Sequence, residues 1–546
     1  MWSIDRLAGV FAYLAVVLRA AILIFQSLFF GGVIFLCVAL RTSADSFSSA
    51  ESDTARAKCL RLLRTSTVFL ATAHACCLLI NCRALVRDGL SIADLMGANF
   101  ALAAFIGISA ALLAVPRSIC SRRRMWPLLL LSVVALGSTV MTNHAFARMD
   151  SRLALILFIT LHLAAAGAWI GGLPYLHVAV SAARPEIGWI YAKRFSSIAF
   201  TSVLVIGISG LAASFRYVDR LNAIYGTSYG VMLAAKALFF LALITLGAVN
   251  RESISRLYPA QLSARLKRCV EAEFVIGITV FLTAASLTSQ PPAIDLRNDR
   301  VSLGAVWARM RPTWPRLRTP ELKDISPATR HLAQLSGRTE AAINANLQPA
   351  NVVSPNTPTD IAWSEYNHNW IGLMLVVMGL LALLSRTRRL SVACHWPLIF
   401  LAIATFIFMR ADPENWPLGP NGFWESFDQV EVLQHRAAAV MVVAFAVFEW
   451  RVQRNKTRFA FAPLVFPAVC VIGGALLLTH THALQNSQEQ VLAELSHTPL
   501  AILAVVAGCT RWLELRLPRG ETRVPAHIWP ICFMLIGALL LNYKEG

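Results

Sequence analysis

The stretch Ala8–Leu40, "AGVFAYLAVVLRAAILIFQSLFFGGVIFLCVAL", decides the fold class. A helix needs about 20 consecutive apolar residues to cross a bilayer, and this run exceeds that length. It is also too long for the apolar part of a cleaved signal peptide, and no clear small-residue cleavage site ends it. Runs of the same kind recur along the 546 residues. Their approximate cores are 12–39, 65–82, 93–114, 126–145, 153–178, 195–214, 229–249, 270–288, 369–385, 393–409, 432–450, 462–480, 498–515 and 527–542. The expected fold is therefore an all-α polytopic membrane protein of about fourteen spans. The short alternating segments of a transmembrane β-barrel are not seen.

Composition agrees. The chain is 57% hydrophobic and 14% charged, against about 25% charged for a soluble domain. The formal net charge of +19 sits in clusters between apolar runs, where it acts as a topology signal and a lipid-headgroup contact. Zinc-finger spacing, Walker loops and RNA-binding aromatic motifs are missing, so nucleic acid is not an expected partner. The eleven cysteines are scattered without a CxxC pair and read mostly as small packing residues.

Arg56, Lys58, Arg61 and Arg64, then Arg122, Arg123 and Arg124, then Arg251, Arg256, Arg265, Lys267 and Arg268 fall on one side if the spans alternate. Arg386, Arg388 and Arg389, then Arg451 and Arg454, then Arg516, Arg519 and Arg523 fall on that side too. The positive-inside rule makes it cytoplasmic and turns both termini outward, into the periplasm. One long Pro-, Arg- and Asn-rich connection, Pro291 to Asn367, is then an outer loop with little core of its own. The expected domains are an eight-span region 1–292, a periplasmic loop 293–366 and a six-span region 367–546.

The histidines follow this topology. His144, His368, His435, His480, His482 and His497 lie at or near the outer face. His177, His395 and His527 lie near the inner side, His331 is in the loop, and His74 and His162 sit deeper within spans. Imidazole suits copper, zinc, iron and nickel. In "GGALLLTHTHALQNSQEQ", Gly473–Gln490, His480 and His482 point about 200° apart on a helix but to one side of an extended segment. Joint chelation by this pair requires the helix to end near Thr479; His497 returns on the next span, and His435 adds a fourth imidazole if the eleventh and twelfth helices pack together. Neutral imidazoles are needed, so such binding is expected to weaken as pH falls through about 6.5. The carboxylates Asp412, Glu414, Glu425, Asp428 and Glu431 are placed to draw cations toward His435.

Met141 and His144, three residues apart, share a helical face and offer a soft and a borderline donor for either oxidation state of copper. His74 and Cys77 are also three apart and converge, whereas Cys76 diverges. His162, about ten residues into its span, is a functional candidate because an unpaired ionisable group in lipid is costly. Lys236 is expected to snorkel toward the outer headgroups and Glu273 to lie near the inner basic edge. Trp169, Gly171 and Gly172 read as structural, small residues letting helices approach closely.

Three segments together resemble a known family. "LHLAAAGAWIGGLPYLHVAV" carries His162, Trp169, Gly171 and Gly172; "GTSYGVMLAAKALFFLALITLGAVNR" carries Tyr229, Gly230, Lys236, Asn250 and Arg251; "EAEFVIGITVFLTAASLTSQPP" carries Glu273, Pro291 and Pro292. In this order they resemble the copper resistance protein D (CopD) family of bacterial inner-membrane proteins, most strongly over 140–292, with the last six spans resembling an extension of longer members. The resemblance implies copper handling at the cytoplasmic membrane, uptake from periplasm to cytoplasm and copper tolerance, beside a periplasmic copper-carrier protein. No catalytic nucleophile, nucleotide loop or HExxH is seen, so an enzyme is not expected. The metal candidates are His480, His482, His497, His435, His162, His144, Met141 and His74. The alternative is a membrane electron carrier binding haem b between His74 and His162.

Overall fold

The computed structural model describes residues 4–40, 49–87, 89–120, 125–148, 151–256, 259–320, 358–387, 391–413, 415–428, 430–457, 459–480, 488–518 and 520–545. The described residues form helices and connections, with no strand among them. Twelve of the helices are long and apolar enough to cross a membrane. The other two expected spans are also helical: Trp126–Met141, at 16 residues shorter than the rest, and Val430–Gln453.

Contacts divide the chain into two compact units. The first comprises Met1–Leu303 with Ile472–Val505 and Arg516–Arg519; the second comprises Gly304–Val471, Val506–Leu515 and Gly520–Gly546. The sequence reading placed 472–505 with the C-terminal spans, whereas contacts group it with the N-terminal ones.

In the first unit, α1 (Ile4–Ile34) continues through a π-helical turn, Phe35–Ala39. It packs on α2 (Ser49–Arg87). A short α3 (Ile92–Met96), capped by Ser91 accepting from the Asp94 amide at 3.2 Å, leads to α4 (Asn99–Cys120). Then follow α5 (Trp126–Met141) and α6 (His144–Ala147), the latter capped by Asn143. The expected fifth span is two helices, α7 (Arg152–Trp169) and α8 (Leu173–Ala182). After α9 (Pro185–Tyr217) and α10 (Asn222–Gly226) come α11 (Ser228–Arg256) and α12 (Pro259–Leu287). Thr227 caps α11 by accepting from the Gly230 amide at 3.0 Å.

The break between α7 and α8 falls where Pro174, in the first turn of α8, has no N–H to donate to the Ile170 carbonyl, and the glycines beside it let α1 come close. A Cβ on Gly31 of α1 would meet the Gly167 carbonyl oxygen and lie 2.6 Å from the Gly171 carbonyl carbon. A Cβ on Gly171 would meet the Ser27 carbonyl. The two backbones touch, which only glycine permits. Phe30, Leu136 and Val140 then close an apolar core against Ile156, Ile159 and Leu163.

The connection after α12 is better anchored than its composition foretold. Within the first unit, Arg300 reaches Asn222 at 2.9 Å and Asp219, and the Val301 amide donates to the Gly226 carbonyl at 3.0 Å. Within the second unit, α13 (Leu303–Met310) is followed by a segment whose Leu317 carbonyl accepts from the Trp370 indole at 3.1 Å. The next helix, α14 (Pro358–Leu384), begins well before the expected 369. The remainder is α15 (Ile399–Arg410), α16 (Val430–Gln453), α17 (Val465–His480), α18 (Gln488–Arg516) and α19 (Arg523–Leu541). Helices α14 and α19 meet through Gly372 and Gly537.

Because the α1–α7 contact leaves no room for a side chain, Gly171→Val is expected to destabilise the protein by about 3 kcal/mol, at the upper end of overpacking costs. Gly137→Ala on α5, where a Cβ meets nothing within 4 Å, is expected to be neutral or slightly stabilising. Thermal unfolding of both variants in detergent checks the contrast.

Candidate metal-binding cavity

Four helices of the first unit enclose a cavity of about 310 Å³. Its lining includes Arg19 of α1, His74, Cys77 and Asn81 of α2, and Met141 and His144 at the end of α5 and start of α6. The two donor pairs that the sequence reading kept apart, His74 with Cys77 and Met141 with His144, thus line one space. His74 and Cys77 share a face of α2 through their three-residue spacing, whereas Met141 and His144 do not share the expected helical face: α5 ends at Met141 and the extended Asn143 starts a new helix at His144.

His74 is 5% exposed. Its ring lies against Gly107 of α4, where a Cβ would come 2.5 Å from Nε2, and that nitrogen has no hydrogen-bond partner. Cys77 Sγ accepts from Asn81 Nδ2 at 3.4 Å. His144 is held by the backbone of Thr288 and Gln290, while its Nε2 is buried and unpartnered. A ring that gives one nitrogen to backbone and keeps the other free has the arrangement usual for a metal-ligating histidine. Burial, and then the Arg19 guanidinium, hold the His144 pKa below the usual imidazole value. Arg19 donates to the Thr288 carbonyl at 2.8 Å.

The donor set is two imidazoles, a thioether and a thiol, with no carboxylate in the lining. Such a set suits copper better than magnesium or calcium. Among the described residues, no three His, Cys, Asp or Glu side chains already converge on a common point. Ligation in this cavity therefore requires side-chain rotation, with Met141 as an additional donor.

Two further buried polar groups lie along the same unit. Lys236 does not snorkel outward: its Nζ lies 3.2 Å from His162 Nε2, and His162 Nδ1 lies 3.3 Å from Ser209 Oγ. Both ring nitrogens of His162 are engaged, which leaves no free position for a metal or haem iron, and the His74–His162 haem pairing finds no support. Glu273 is 3% exposed and accepts from Asn250 Nδ2 at 2.9 Å and from the Trp169 indole. Trp169, Asn250 and Glu273 border a second, mainly apolar cavity of about 230 Å³. The only sequence signal for the His162–Lys236 contact is depth: the two lie ten and eight residues into spans entered from one side, about 15 and 12 Å deep.

The remaining candidates are dispersed. Helix α17 is described as far as His480; the His480 side chain and all of His482, the pair expected to chelate jointly, fall outside the described residues. His497 Nδ1 binds the Ala493 carbonyl at 2.8 Å. His435 belongs to the second unit, whereas the other three belong to the first. Its Nδ1 pairs with Asp412 at 2.8 Å, so a carboxylate of the acidic loop does reach this ring.

Comparison with known proteins adds the family. The model of the family described as copper resistance protein D matches residues 191–287, from within α9 to the end of α12. The segment includes Ser209, Lys236, Asn250 and Glu273, and stops short of the cavity's donors. The copper transport protein CutJ of Bacillus subtilis (strain 168) is 34% identical over 154 residues, 28% of this chain and 28% of that protein. The chain therefore matches under a third of that relative's length. No solved structure matches. The chain is a multi-pass membrane protein whose residues 191–287 match the model of the copper resistance protein D family.

Proposed function

We propose that the protein moves copper across the bacterial inner membrane, from periplasm to cytoplasm, and that the cavity between α1, α2, α4 and α5 is where the ion first binds. The single observation that carries this reading is the meeting of His74, Cys77, Met141 and His144 around one space with two unpartnered imidazole nitrogens. The copper resistance protein D segment and the similarity to a copper transport protein supply the metal's identity. The inward direction is part of this proposal; a positive-inside orientation with the cavity toward the periplasm supports capture of the ion there. A periplasmic copper carrier would then deliver the ion there. His480, His482 and His497 would add imidazoles to that face, and a chain working this way is a transporter and not an enzyme.

Two results are expected. His144→Ala combined with Met141→Ala lowers copper affinity of the purified protein about tenfold or more, while His527→Ala, an exposed residue bonded to the Arg523 carbonyl, leaves it unchanged. Cells expressing the double variant accumulate less cytoplasmic copper than wild type at equal membrane protein. Equal accumulation overturns the reading.

The pH dependence has a definite sign. Ligation needs neutral imidazole, and His144 stays neutral to lower pH than a free ring because burial and Arg19 disfavour its charged form. Affinity carried by the imidazoles is therefore expected to hold as pH falls to about 6.5 and to decline only below it, whereas ligation through Cys77, whose thiol must lose its proton, adds a decline that begins above that pH. Copper titrations across that range check this.

A further inference from the structure

Lys236 and His162 form a buried pair of bases with no acid beside them. Ser209 Oγ donates to the Val205 carbonyl at 2.5 Å. Its hydrogen is thereby used, so it accepts from His162 Nδ1 at 3.3 Å. His162 Nε2 then bears the lone pair that accepts from Lys236 Nζ at 3.2 Å. Lys236 Nζ can donate to Nε2 as a neutral amine or as an ammonium, so the pair can take up or release one proton without losing this contact.

The surroundings offer no carboxylate to neutralise the protonated form. Helices α1 and α5 meet α7 with Phe30, Leu136 and Val140, and α9 offers Ser209 and Gly210. On α12 the buried acid is Glu273, which is engaged with Asn250 and Trp169. Asn250 lies about 21 Å along α11 from Lys236, at 1.5 Å per residue. Asp295, near the start of α11, pairs with Arg148 at 3.2 Å. Among the described residues Lys236 has no carboxylate partner. A cation and an uncompensated ammonium in one low-dielectric bundle repel strongly.

We infer that the Lys236–His162 pair is a proton-exchange site, and that the protein moves copper inward in exchange for a proton moving outward. The inference rests on the copper-transport reading above. As the ion enters, the Lys236 N–H bond breaks and its proton leaves to the outer side. As the ion departs inward, the amine takes one proton from the inner side. One monovalent copper ion enters per proton exported, with no oxidation or reduction.

The test uses full-length protein in liposomes holding a pH-sensitive dye, in chloride-free buffer, with silver(I) as a redox-inert probe. Wild type should admit external silver and export about one proton per ion, raising lumenal pH; an acid lumen should speed entry several-fold. Lys236→Met should still admit silver but leave lumenal pH unchanged, and Lys236→Gln replaces it if it does not insert. Lys236→Arg, whose charge cannot leave, should cut entry at least tenfold in monodisperse protein. Silver entry without proton export in wild type, or wild-type entry through Lys236→Arg, overturns the inference and leaves the transport reading standing. No silver entry through wild type overturns the transport reading and the inference with it.

Discussion

The contact between α1 and the α7–α8 break is the constraint on which the first unit depends. Gly31, Gly167 and Gly171 let two backbones touch where no side chain fits. Apolar side chains gain little from leaving lipid for protein, so packing of this kind carries helix association in a membrane. The contact fixes α7 against α1, and α7 in turn carries His162 toward α9 and α11 and Trp169 toward Glu273. Helix α1 also brings Arg19 to the cavity wall and Gln26 to Thr139 of α5.

The polar groups of this unit form three stations separated by apolar packing. At one end, the cavity offers soft and borderline donors whose free nitrogens are not satisfied within the protein. Deeper, the Lys236–His162–Ser209 chain satisfies its own hydrogen bonds but has no carboxylate to pair with its protonated form. Deeper still, Glu273 is held by Asn250 and Trp169. Each is costly to bury and contributes little to packing, so function is the stronger explanation for all three. The second unit treats its buried charges differently. Glu514 accepts from Arg386, from Arg511 at 2.7 Å and from the Trp529 indole at 2.8 Å, a closed network that reads as structural.

The family match and the cavity fall on different parts of the chain. Residues 191–287 contain Lys236, Asn250 and Glu273, and the four cavity donors lie before them in sequence. A function read only from the matched segment would centre on the buried Lys and Glu and would miss the imidazole, thioether and thiol donors on α2, α5 and α6.

The sequence by itself determined the membrane class, the positions of the spans and the helical spacing of His74 and Cys77. Those features depend on local apolarity and on the helix repeat, which neighbouring helices do not change. It also placed Gly171 and Gly172 as packing residues. It did not decide that His74 and Cys77 would share a cavity with Met141 and His144, because that depends on how α2 and α5 are rotated about their axes. The same holds for Lys236, whose long side chain reaches either headgroups or His162 depending on which face α11 turns inward. The break in the fifth span has a local signal, since Pro174 cannot donate to the Ile170 carbonyl. What only the tertiary structure decided is that the backbone of α1 presses against Gly171 there, because that depends on which face α1 turns toward the break.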